Sequence, residues 1–138
     1  MIAESVISFL KQCPHLKDGT FCADCLGSKS TQYTVDTVPT THILKEYSDG
    51  GSLRQFTFVF ASREYYGSDY LLNLSNSGFY ENFAEWLEKC TKEKNLPDLG
   101  DNLEAQSISA LSSGYMYEAS GSTARYQIQC RLIYYKKA

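Results

Sequence analysis

The sequence predicts an α+β fold, a mostly antiparallel or mixed β-sheet of about five to six strands packed by two main helices. Three observations carry this. Residues 122–135, STARYQIQCRLIYY, alternate at period two: Ala124, Tyr126, Ile128, Cys130, Leu132 and Tyr134 point one way, and Arg125, Gln127, Gln129 and Arg131 the other. Successive strand side chains face opposite sides of a sheet, so this is a half-buried strand. Two other segments repeat apolar residues at the spacing of an amphipathic helix. Finally, Asp49-Gly50-Gly51 separates two strand-like runs, a hairpin signal because glycine supplies the positive φ that such turns require.

The elements follow in order. Ile2, Val6, Phe9, Leu10 and Cys13 form one helical stripe, and Pro14 ends it. Residues 20–26 and 31–38 read as short strands separated by Gly27-Ser28, with Pro39 closing the second. Residues 42–47 and 52–61 are the hairpin arms, and Phe56, Phe58 and Phe60 share a face that should anchor the core. Residues 62–76, with Tyr65, Tyr66, Tyr70, Leu71, Leu72 and Leu74, suit a short helical turn or a packed loop. Phe79, Phe83, Trp86, Leu87 and Cys90 then repeat the first helix's spacing, capped by Asn76, Ser77 or Gly78 and ended by Asn95-Leu96-Pro97. Residues 105–118 return to strand with a bulge or slack point at Ser112-Ser113-Gly114. Residues 118–122 turn the chain into the final strand.

At 138 residues the chain is expected to be a single domain, 1–138. Such a chain buries roughly two thirds of its unfolded surface, so no disulfide or metal staple is required. A hydrophobic content of 43% argues against global disorder, and a net charge of −3 argues against a specific nucleic-acid binder. No signal peptide or membrane-length apolar run is evident, so a cytoplasmic site of synthesis and reduced cysteines are expected. Charge is uneven, however. Glu81, Glu85 and Glu88 begin an acid-rich stretch, whereas Arg125, Arg131, Lys136 and Lys137 follow residue 122 with no acid among them. These are either ordinary solvated faces or complementary patches suited to head-to-tail association.

Chemistry is thinly represented. Cys22 and Cys25 have C-x2-C spacing, with Cys13 and His15 upstream, so a small metal- or thiol-dependent binding module using Cys13, Cys22 and Cys25 is the alternative functional reading. Two objections oppose zinc. Cys13-Pro14-His15 leaves a one-residue gap around a rigid ring, and a strand over 20–26 would point Cys22 and Cys25 to opposite faces. Cys90 and Cys130 lie on apolar stripes and read as core thiols. His15 and His42 are the only histidines, no nucleophile elbow is present, and Gly50-Gly51 lacks the lysine and helix of a phosphate loop. No enzyme, cofactor or resident metal is expected. Eleven tyrosines suit strands, and Tyr65, Tyr66, Tyr70, Tyr80, Tyr134 and Tyr135 could serve sheet packing or an interface.

The segments DGGSLRQFTFVFASREYYG (49–67), NSGFYENFAEWLEK (76–89) and SSGYMYEASGSTARYQIQCRLIYY (112–135) resemble a family of small bacteriophage minor capsid proteins, encoded among the head–tail genes of phages and prophages of Gram-positive bacteria. MIAESVISFL and VPTTHILKEY (38–47) look like the same family, whereas the Cys13–Cys25 segment lies outside the resemblance. By size and gene neighbourhood the family is similar to tail-terminator or tail-completion proteins. That implies a tail-terminator-like fold and a homo-oligomeric ring, commonly a hexamer, which caps the tail tube and joins it to the head. Tail-tube and head-connector proteins would be its partners, and the virion's head–tail region its location after assembly in the bacterial cytoplasm. No metal and no catalytic residue are implied. The residues expected at the oligomer interface are Arg125, Gln127, Gln129 and Arg131 on the last strand, and Glu81, Glu85 and Glu88 on the second helix.

Overall fold

Two long alternating strands organise the molecule. The computed structural model describes residues 2–14, 21–23, 32–65, 70–120 and 123–138. Its elements run α1 (Ile2–Leu10), β1 (Phe21–Ala23), β2 (Gln32–Thr37), β3 (Ile43–Glu46), β4 (Ser52–Tyr65), α2 (Tyr70–Glu93), β5 (Leu103–Ala110), β6 (Tyr115–Ser120) and β7 (Thr123–Lys136). This is an α+β fold with a seven-stranded sheet. β4 and β7 pair antiparallel along their whole lengths, from Ser52 opposite Lys136 to Tyr65 opposite Thr123. The outer edge of β4 carries β3 at one end and β2 at the other, and β1 adds to β2 as the one parallel pair among the described strands. The outer edge of β7 carries β5 along 130–136 and β6 along 123–127. The strand count exceeds the expected five to six because residues 105–118 break into β5 and β6 at Ser112-Ser113-Gly114. Backbone order survives the break: the Leu111 amide donates to the Gln129 carbonyl (2.7 Å), and the Gln129 amide donates to Ser112 Oγ (3.2 Å).

Both helices cover one face of this sheet. Val6, Phe9 and Leu10 of α1 and Tyr80, Phe83, Leu87 and Cys90 of α2 share one buried cluster with Phe56, Phe58, Phe60 and every inward residue of β7 from Ala124 to Tyr134. Phe60 and Phe83 stack at 4.5 Å, and Phe9 and Trp86 at 5.1 Å, so the aromatics tie α2 to both the sheet and α1. The cluster includes a polar joint. Tyr80 Oη donates to the Tyr126 carbonyl (2.8 Å) and lies 2.5 Å from Ser62 Oγ, so each buried hydroxyl finds a partner. Gly114 is required beside that joint, because a Cβ there would collide with the Tyr80 side chain. Gly50, at φ +92°, closes the β3–β4 hairpin in the left-handed region.

The sequence reading of residues 62–76 is overturned. Among the described residues, 62–65 end β4 and 70–76 are the first turns of α2, which begins at Tyr70 and passes through Asn76, Ser77 and Gly78 without a cap. Low intrinsic propensity at those residues is a weak prior that tertiary context overrides, and Gly78 has open space around it. The other end of α2 falls as expected, since Asn95 N–H donates to the Cys90 carbonyl and Lys94 N–H to that of Thr91, with Lys94 at φ 58°. That is a Schellman closure, with lysine in the left-handed position that glycine more often occupies.

Candidate interaction surfaces

The outward side of β7 is built from the residues the sequence offered as an interface, and the structure commits half of them internally. Arg125 reaches across β4 to Asp36 on β2, with Nη2 2.7 Å from Oδ2. Its Nε donates to Gln127 Oε1 (3.1 Å) and its guanidinium lies over the Tyr117 ring, 5.5 Å from the centroid. Gln127 Nε2 in turn donates to Tyr115 Oη (2.6 Å). Asp36 also accepts from Thr34 Oγ1 (3.0 Å). A hydrogen-bonded strap therefore runs Thr34, Asp36, Arg125, Gln127, Tyr115, from β2 to β6 across the face the described helices leave uncovered. Gln127 is buried, whereas Gln129 is exposed and Arg131 half-buried with a buried Nε that has no hydrogen-bond partner among the described residues.

The acidic residues are placed differently. Glu81, Glu85 and Glu88 are all exposed on α2. Among the described residues Glu88 makes a solvent-exposed pair with Lys92 one turn away (3.6 Å), which contributes little. The three carboxylates rim two shallow adjoining depressions between α2 and the β5–β6 break, which share Ala84 and Glu85 and are floored by Ala110, Gly114 and Ile128. The structure therefore does not bring the acidic and basic candidate sets together within one chain. They occupy separate parts of the surface.

The tyrosines divide. Tyr80 and Tyr134 are buried in the core, Tyr135 is half-buried against Tyr47 (ring centroids 5.9 Å apart), and Tyr66 and the side chains of Tyr65 and Tyr70 lie outside the described residues. Large exposed apolar side chains sit elsewhere, at two places the sequence reading missed. One is the hairpin edge: Ile43, Leu44 and Tyr47, in and beside β3, whose four residues are all exposed. The other is the β5–β6 edge: Leu111 (47% exposed), Tyr115, Met116 (44%) and Tyr117 (61%). A signal was available, because HILKEY and YMY carry adjacent apolar residues that a one-sided strand cannot bury together.

No catalytic or metal-binding arrangement emerges among the described residues, where no cluster of three His, Cys, Asp or Glu side chains is poised for an ion. Cys13 is buried in the apolar cluster with Val6, Phe9 and Leu10. Cys25 and His15, and the side chain of Cys22, lie outside the described residues. Cys90 and Cys130 are buried free thiols, and burial pushes both above the ordinary thiol pKa, Cys130 far more. His42 is exposed beside β3, and its carbonyl accepts the Gln55 amide (2.8 Å). Among the described residues no helix is long and apolar enough to cross a membrane.

Compared with known proteins, the chain matches no family model and no curated protein.

Proposed function

We propose that this protein is a structural, non-enzymatic subunit of a phage or prophage virion. It acts at the head–tail junction as a tail terminator or head–tail joining protein, an oligomeric ring that caps the tail tube and connects it to the head. A hexamer is the ring size to expect from the resemblance to phage minor capsid proteins, with tail-tube and head-connector proteins as partners and the bacterial cytoplasm as the place of assembly. The observation that carries the reading is the pair of exposed apolar edges. An edge strand presents unpaired backbone groups, and chains that stay monomeric blunt such edges with charge, proline or cover. Here β3 carries Lys45 and Glu46, yet Ile43 and Leu44 on that edge and Leu111 and Met116 on the other remain exposed. A binding module built on Cys13, Cys22 and Cys25 is the weaker reading, because burying a thiol among Val6, Phe9 and Leu10 suits packing.

Native mass measurement on purified protein, alone and with tail tubes, tests the proposal. A closed oligomer and binding to tube ends are expected. A chain that stays monomeric at high concentration and ignores tail tubes would overturn it.

A further inference from the structure

The two apolar edges lie at opposite corners of the sheet. β3 flanks the end of β4 that pairs with Tyr134–Lys136, whereas β6 flanks the other end of β7. The nine residue steps from Tyr126 to Tyr135 span about 30 Å of strand, and the three interstrand steps from β3 through β4 and β7 to β6 add about 14 Å sideways. The edges face away from each other, one outward from β4 and one outward from β7. Their charge differs as well. Around β3 lie Lys45, whose ammonium sits 5.3 Å over the Tyr47 ring, and the exposed Lys136 and Lys137, against Glu46 and Asp49. The depressions beside Leu111 and Gly114 are rimmed by Glu81, Glu85 and Glu88, with Lys89 and Lys92 also exposed on the same helix.

We infer that the molecule binds a second copy of itself head to tail, the β3 edge of one copy seating against the 111–117 edge of the next. The inference rests on the ring-subunit reading above and gives it a specific contact. Apolar side chains on both edges supply the area, and the lysine-bearing corner meets the glutamate-rimmed depressions, fixing which edge goes where. Because the two surfaces point in opposite directions, one partner cannot satisfy both. A two-fold dimer is excluded for this contact, and the assembly grows until it closes into a ring or continues as a filament.

The test uses two full-length variants, Leu44→Asp and Leu111→Asp. Both sites are exposed, so the fold should persist, checked by circular dichroism. Each variant alone should lose self-association by about tenfold or more, the scale of an apolar interface anchor. Mixed one to one, they should form a species of two chains and no larger, because each has one intact edge and only the unlike pair can join. Glu85→Lys serves as a further variant in case Leu111→Asp misfolds: weaker assembly is expected, regained on adding Lys45→Glu and Lys136→Glu to the same chain. If the wild-type chain assembles and the folded variants assemble equally well, this contact is wrong while the ring reading stands. A mixture of variants that stays monomeric also rejects the contact. A wild-type chain that never associates removes both.

Discussion

The two sides of β7 do opposite jobs with the same backbone. Inward, Tyr126, Ile128, Cys130, Leu132 and Tyr134 are held by dry packing against α2 and the phenylalanines of β4. Outward, Arg125 and Gln127 are held by named hydrogen bonds to Asp36 and Tyr115, and Gln129 stays in solvent. The difference teaches where free surface can exist. A polar side chain that reaches a partner in its own chain is spent as a brace, and a charge stripe legible in sequence is not thereby available to a neighbouring molecule. The edges of the sheet, where the four residues of β3 and, beside β6, Leu111 and Met116 stay exposed, provide what the outward stripe does not.

That contrast can be broken from the inside first. Leu132→Ala removes a fully buried side chain from the centre of the cluster, and an unfilled cavity there should reduce stability by about 2–5 kcal/mol, read as a lower urea midpoint with unchanged slope.

A smaller inward effect concerns Cys130, whose burial raises its thiol pKa. The sign follows from linkage. With the folded-state value raised, the stabilisation is complete below the unfolded thiol's value and is lost as pH rises beyond it. Above about pH 8.5 the unfolded chain ionises while the native thiol stays protonated, a loss of about 1.4 kcal/mol per pH unit. Urea melts at pH 8 and pH 10 should therefore differ by about 2 kcal/mol more in wild type than in Cys130→Ala. Equal differences would show that this thiol is not sequestered.

The outward brace should matter least. Asp36 and Arg125 are partly exposed, with side chains at 29% and 17%, so a double-mutant cycle with Asp36→Asn and Arg125→Gln should give a coupling of about 1 kcal/mol, weakening in high salt. A coupling near zero would return Arg125 to the pool of residues free to meet a partner. One of several kcal/mol would make the strap as structural as the core.

Much of the architecture is written locally. The alternation of 122–135 specifies β7 and its buried face, because a one-residue slip would turn every apolar side chain outward. The stripe Phe79, Phe83, Leu87, Cys90 specifies the buried side of α2 in the same way, and Asp49-Gly50 specifies the hairpin. The start of α2 was not legible. Asn76, Ser77 and Gly78 look locally like a cap, and the helix passes through them to begin at Tyr70.

The candidate surface was legible only in part. Sequence alone determined that this chain makes a sheet with helices packed on it, because side-chain periodicity is a property of the local backbone. It also offered two sets of charges without fixing their use. Tertiary structure alone decided that Arg125 faces Asp36, 89 residues away, that the acids of α2 rim open depressions, and that Ile43, Leu44, Leu111 and Met116 stay in solvent. Those outcomes depend on which strands end as neighbours and which as edges, a long-range arrangement that no local pattern encodes.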